Sequence, residues 1–159
     1  MSQDLAPAPL AWQPAALGDA PAVLDLMRAF YAEEGLAFDG RAQGRALDML
    51  LAEPELGRVF LLRGPAPRDP PQGHLVLTRG HSLEFGGGFW LLDELYLAPA
   101  LRGRGEGRRA LALAEKEARA RGMHALRLEV ARKNFRALQA YLRYGYVAED
   151  RDLMTLRLT

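Results

Sequence analysis

The stretch Leu95–Leu111, LYLAPALRGRGEGRRAL, constrains the fold of this chain more than any other. It begins as an apolar, strand-like run that Pro99 stops. Three glycines follow at alternate positions, Gly103, Gly105 and Gly107, and a helical pattern starts at once. Glycine has no Cβ, so the backbone can bend sharply and its N–H groups can come close to a ligand. The first N–H groups of the helix have no acceptor inside it, and the helix dipole puts partial positive charge at that end. Strand, glycine turn and helix start therefore make a phosphate seat. Arg102, Arg104 and Arg108 surround it with positive charge, while Arg109 lies further into the helix and reads as ordinary solvated charge.

Two common phosphate loops do not fit. A P-loop ends in Gly-Lys-Ser/Thr, whereas Gly107 is followed by Arg108 and Arg109. A dinucleotide fingerprint has G-x-G-x-x-G and opens a βαβ unit. Here the spacing is G-x-G-x-G, past the middle of the chain. What the residues spell is R-x-x-G-x-G, from Arg102 through Gly105 to Gly107. Composition removes other classes. A chain of 159 residues suits one domain, residues 1–159, and 49% hydrophobic with 26% charged residues is a globular balance. A net charge of +1 points to neither nucleic acid nor membrane as partner. There is no cysteine, so disulfides and thiol nucleophiles are excluded. His74, His81 and His124 are scattered without ligand spacing, and no metal site is expected. The start, MSQDLAPAPL, lacks the basic and apolar regions of a signal peptide, and no run is long enough to span a membrane, so a cytoplasmic protein is the expectation.

Along the chain, residues 1–9 read as a loose Ala- and Pro-rich tail. Leu10–Pro14 reads as a short strand. Asp19 is placed as the cap of a helix whose Val23, Met27, Phe30 and Tyr31 share one face. A second helix is predicted over Arg41–Leu51 after a connection carrying Phe38 and Asp39. Val59–Leu62 is a continuous apolar run, as in a strand covered on both faces. The proline-rich Gly64–Gly73 is a turn, His74–Thr78 a returning strand, and Phe89–Leu97 the long strand before the glycine loop. A helix follows from Gly107 to Arg121, with Gly122 where a helix-ending glycine belongs. Leu126, Leu128 and Val130 alternate as a strand, and Phe135, Leu138 and Leu142 mark a last helix ended by Gly145. Tyr146–Ala148 and Leu153–Leu158 read as two closing strands. The order is βααβββαβαββ.

The glycine loop, this order and a second motif together resemble the GCN5-related N-acetyltransferases, the GNAT superfamily. The second motif is N-x-x-A-x-x-x-Y-x-x-x-G-[FY], written here as Asn134, Ala137, Tyr141, Gly145 and Tyr146. The resemblance covers nearly the whole chain and is strongest from Leu92 to Tyr146. It implies an α/β (α+β) fold, with a mixed, mostly antiparallel sheet of about seven strands flanked by four helices. It implies acetyl-CoA as cosubstrate, and acetyl transfer to a primary amine of a small molecule or peptide by direct attack in a ternary complex. A non-catalytic acyl-CoA sensor or regulatory module of the same fold is the alternative. Homodimers are frequent in that family, and nothing in the residues establishes one here.

By this resemblance the fourth and fifth strands splay apart, and the pantetheine arm lies along the backbone of Leu95, Tyr96 and Leu97. The pyrophosphate would rest on the N–H groups of Gly103, Arg104, Gly105, Glu106, Gly107 and Arg108, with Arg102 and Arg104 adding charge-assisted bonds. A carboxylate must take a proton from the incoming ammonium, and Glu94 and Asp93 are the candidates. Being adjacent on a strand, they should point to opposite faces, so that only one faces the acceptor. Either can instead pair with an arginine. Tyr141 matches the family's general acid for the leaving thiolate, and also fits simple packing beside Leu138. Asn134 suits both a helix cap and a contact to the pantetheine amide. The acceptor pocket is expected near Phe30, Tyr31 and Glu34, with Glu33, Phe38 and Asp39 in the same region. A polyamine, an amino acid, an aminoglycoside and a protein N-terminus or lysine all stay open as acceptors.

Overall fold

The buried run at Val59–Leu62 shows how the layers are arranged. In the computed structural model, which describes residues 9–66 and 68–158, these four side chains are 5% exposed or less. They sit in β2 (Gly57–Arg63), which lies between β1 (Ala11–Pro14) and β3 (Gly73–Ser82). The sheet continues to β4 (Gly87–Leu97) and β5 (Ala125–Leu128), in the order β1-β2-β3-β4-β5. Every pairing is antiparallel except β4 with β5.

Side chains alternate across a strand, so β2 feeds two cores. Val59 and Leu61 join Val76 under α1 (Ala20–Glu34) and α2 (Gly40–Ala52), where Ala20, Val23, Met27 and Leu47 complete the cluster. Phe60 and Leu62 face the other way, toward the side of α3 (Glu106–Ala120). Arg58, on that same face, reaches Glu117 of α3 at 3.7 Å. Ala110, Leu111, Ala114 and Ala118 are the buried stripe of α3.

The helix ends follow local chemistry. Asp19 stands at the start of α1, as predicted, but its carboxylate accepts from the Ala16 N–H at 2.8 Å and pairs with Arg63 at 2.8 Å. Asp39 caps α2, accepting from the N–H groups of Arg41 and Ala42 at 2.9 and 3.1 Å.

The chain divides into two compact units, at Glu129 and Val130. The sheet, α1, α2 and α3 belong to the first. The second holds α4 (Phe135–Tyr144), which Asn134 caps by accepting from the Ala137 N–H at 3.1 Å. The two closing strands are not formed, so the sheet has five strands among the described residues instead of about seven. The reason is physical. An extended segment becomes a strand only by pairing. Leu153, Met154, Leu156 and Leu158 are instead 72–89% exposed, with no ladder along them. The loose tail predicted for residues 1–9 falls, apart from Pro9, outside the described residues. No helix among the described residues is long and apolar enough to cross a membrane.

Candidate functional site

A bulge in β4 builds the site. Val76 pairs with Glu94 and Leu77 with Leu92, leaving Asp93 as an extra residue on β4. Paired residues share a face. Glu94 therefore stands on the Val76 side, under α1 and α2, while Leu92 stands on the opposite side. Without the extra residue, one strand could not put Trp90 and Leu92 into one core and Glu94 and Tyr96 against the other.

Glu94 is 6% exposed and both of its oxygens are engaged. Tyr31 donates its hydroxyl to Oε1 at 2.8 Å. His74 Nε2 lies 2.8 Å from Oε2. An ionised carboxylate only accepts, so the imidazole that bonds it carries its proton on Nε2. His74 is fully buried, and its Nδ1 has no hydrogen-bond partner among the described residues. Its ring stacks on Tyr96 at 6.0 Å and meets Phe30 edge-on at 6.1 Å. Burial, then the charge and hydrogen bond of Glu94, push the Tyr31 hydroxyl well above its ordinary pKa, so it remains a donor. Asp93 is pushed upward by desolvation first, then by the carboxylates of Glu94 and Glu129.

A cavity of about 320 Å³ opens beside this cluster. Its walls are Met27, Ala42, Ala46, Leu47, Leu50 and Val76. Its polar atoms come from Tyr31, Gln43, Thr78, Asp93 and Glu94. Both adjacent carboxylates line it, which overturns the expectation that only one could. Strand alternation is lost at a bulge, so neighbours there need not point apart.

The acidic residues expected around the acceptor are placed differently. Glu33 holds Arg102 with both oxygens, at 2.8 and 2.7 Å, and Asp39 is the α2 cap. Phe30 packs on His74 and Tyr96, and neither Phe30 nor Glu34 lines the cavity. Of the three predicted acceptor residues, Tyr31 alone does so.

The glycine loop leaves β4 through a turn at Pro99–Leu101 and enters α3 at Glu106. Gly103 and Gly105 have φ of 74° and 88°, values that a side chain disfavours. The first helix-type bond is Arg109 N–H to Gly105 O at 3.1 Å, and the N–H groups of Glu106, Gly107 and Arg108 precede it. A Cβ built on Gly105 would meet nothing within 4 Å, so the space above the turn is open. Arg102 is committed elsewhere. Beyond Glu33, its Nε donates to the Leu97 carbonyl at 2.9 Å and its guanidinium lies 5.6 Å from the Tyr96 ring centre. Arg104 is exposed, and Arg109 pairs within the helix with Glu106 at 2.8 Å.

Beside this loop the sheet changes partner. β5 pairs with β4 only over Phe89–Leu92, whereas β3 follows β4 to Leu97. The backbone of residues 93–97 is thus outside any ladder on the β5 side among the described residues. That stretch contains the predicted Leu95, Tyr96 and Leu97. In the second unit Tyr141 is half-buried, and its ring meets Tyr146 edge-on at 5.8 Å.

Sequence reasoning missed His74 as a site residue. Its partnership with Glu94 depends on the β3–β4 register, with His74 opposite Tyr96 and two residues before the partner of Glu94. The available signal was His74 at the head of the apolar run Leu75–Leu77 and two acids inside the apolar run Phe89–Leu97.

The comparisons with known proteins bear on the family and the fold. A model of the acetyltransferase (GNAT) family matches residues 24–146. An integron cassette protein from the mobile metagenome of Cole Harbour Salt Marsh is 32% identical, with a TM-score of 0.79 over 93% of this chain and 90% of that one. A putative acetyltransferase from Arthrobacter is 26% identical, with a TM-score of 0.76 over 100% and 99%. The aminoglycoside N-acetyltransferase AAC(6')-Iy, solved in complex with CoA, shares the fold at 11% identity, with a TM-score of 0.82 over 99% and 100%. Among curated proteins none matches this chain.

Proposed function

This chain belongs to the acetyltransferase (GNAT) family, whose chemistry is acyl transfer, and from that premise we propose that it moves an acetyl group from acetyl-CoA to a primary amine by direct attack in a ternary complex. The observation that carries this is Glu94, a buried carboxylate held by two hydrogen bonds at the wall of a cavity, within the stretch of β4 that has no ladder on the β5 side among the described residues.

An alkylammonium has a pKa of roughly 10 and cannot attack until it loses a proton. Glu94 takes that proton, directly or through one water. Tyr31 and His74 fix the carboxylate so that its remaining lone pairs keep one orientation. Asp93 adds negative charge at the same end of the cavity and draws the cation in. The amine nitrogen then bonds to the acetyl carbon and the carbon–sulfur bond breaks. A backbone N–H near Leu95 stabilises the intermediate oxyanion. The N–H groups from Gly103 to Arg108 hold the pyrophosphate, and Arg104 supplies charge. Arg102 contributes by bracing the loop against Glu33 of α1. Asn134 is assigned to the pantetheine amide, and Tyr141 to protonating the departing thiolate. The family match runs from 24 to 146, which supports reading the two units as one catalytic domain.

Thiol release from acetyl-CoA across a panel of amines tests the activity. The Glu94→Gln side chain keeps the size and one acceptor oxygen while losing basicity, so this variant should lower kcat by about 10²–10⁴. Asp93→Asn should lower it by less than that. The reverse ranking would transfer the base role to Asp93. Binding of CoA without thiol release from any amine would leave a non-catalytic acyl-CoA module.

A further inference from the structure

Resting on the acetyltransferase reading above, we propose that the acceptor is a small monoamine with an apolar body, of the branched-alkyl or arylalkyl class, bound with its nitrogen at Asp93 and Glu94. The distribution of charge around the cavity argues this. Of the residues lining its 320 Å³, only Asp93 and Glu94 are charged, and they are neighbours on one strand. Met27, Leu47, Leu50 and Val76 make most of the remainder apolar, two alanines of α2 leave width, and Tyr31, Gln43 and Thr78 add uncharged polar atoms. Such a cavity has one place for a cation and a larger place for hydrocarbon.

Polycations fit this badly. A polyamine repeats its charge every few methylenes, and a second ammonium would find no further carboxylate in the lining, while a buried charge without an opposite charge is unfavourable. Of the acids expected around the acceptor, Glu33 is held by Arg102 and Asp39 by the start of α2, and Glu34 does not line the cavity. An aminoglycoside brings several ammonium groups and meets the same obstacle. A zwitterionic amino acid would set its carboxylate among two others, and no lining residue is basic. The upward displacement of Asp93, caused by desolvation and by Glu94 and Glu129, is relieved by a single bound cation.

The test uses two readouts. One is thiol release from acetyl-CoA with propylamine, butylamine, hexylamine, isoamylamine and phenethylamine, set against spermidine, an aminoglycoside and a lysine peptide. The other is calorimetric binding of hexylamine and spermidine to the protein without acetyl-CoA. The expected kcat/KM rises about fourfold per methylene until the cavity is full, the equivalent of about 0.8 kcal/mol per buried CH₂. Hexylamine and phenethylamine should exceed spermidine and the peptide by at least tenfold. Ala46→Phe, on the exposed face of α2 at the cavity wall, should cost hexylamine at least tenfold and propylamine less than threefold. Spermidine, the aminoglycoside or the lysine peptide matching hexylamine, or no dependence on chain length, would overturn the assignment while acetyl transfer stands. Hexylamine binding in preference to spermidine with no thiol released by any amine would support the cavity assignment and overturn acetyl transfer.

Discussion

Glu94, Asp93 and His74 show how much a single side chain can reveal about this site. His74 donates into a carboxylate that is itself buried, so losing that donor leaves an acceptor without a partner, which typically costs about 1–3 kcal/mol. His74→Phe keeps the ring and removes the donor. It should lower Tm by about 2–12 °C, taking roughly 2–4 °C per kcal/mol for a chain of this length. His74→Gln keeps a donor and should lose less. Equal losses would mean that His74 supplies packing and not the bond to Glu94. Asp93 has the opposite sign. Its carboxyl is pushed up in the folded state, so between its unfolded and folded pKa the native form binds more protons. Stability therefore falls as pH rises through that window, and the penalty is complete above it. Asp93→Asn removes the penalty. It should raise Tm at pH 7 by about 1–2 °C, the size of a favourable change at an exposed position. The gain should vanish below the ordinary aspartate range. A melting series against pH measures it, and a variant less stable than the parent at pH 7 would contradict this sign. Neither effect was legible in the sequence. Both acids were visible as candidates, but their shared cavity and the hidden histidine depend on which residue faces which across two strands.

At the scale of elements, what is local was legible and what is cross-strand was not. The helix ends at Gly122 and Gly145 and the two-sided burial of β2 all follow from neighbours in sequence, and all are present. The bulge is a relation between β3 and β4, and LLDELYL on its own only shows alternation interrupted by two acids. The closing strands were misread for a related reason. Alternation in Leu153–Leu158 makes a strand possible, and a partner decides whether it forms. The glycine loop was legible because its cause is local, and it yields a clean test. At Gly105 a Cβ would touch nothing within 4 Å, so any cost of Gly105→Ala comes from φ of 88° alone. A left-handed conformation costs a non-glycine residue about 1–2 kcal/mol. Tm should fall by about 2–8 °C. Affinity for CoA should fall too, as the alanine pulls the turn toward negative φ and moves the N–H groups at the start of α3. An unchanged Tm with unchanged affinity would show that the turn carries no such constraint.

On the scale of the whole molecule, the question is whether residues after Val130 take part in chemistry built mostly before it. The proposed base, the cavity, the β4 edge unpaired on the β5 side among the described residues and the glycine loop all lie in the first unit, while the proposed acid, Tyr141, lies in the second. A phenol with pKa near 10 is protonated at pH 7 and suits a departing thiolate. Tyr141→Phe keeps the ring that meets Tyr146 edge-on and removes only the hydroxyl. It should lose at least tenfold in kcat. If the hydroxyl serves departure and not binding, acetyl-CoA at about a hundred times its Kd should stabilise variant and parent alike, by roughly 2.7 kcal/mol. Rate and ligand-induced melting shift together therefore separate two outcomes. A lower rate with the shift retained makes the two units one catalytic domain. An unchanged rate removes Tyr141 from the mechanism and leaves the first unit to protonate its own leaving group.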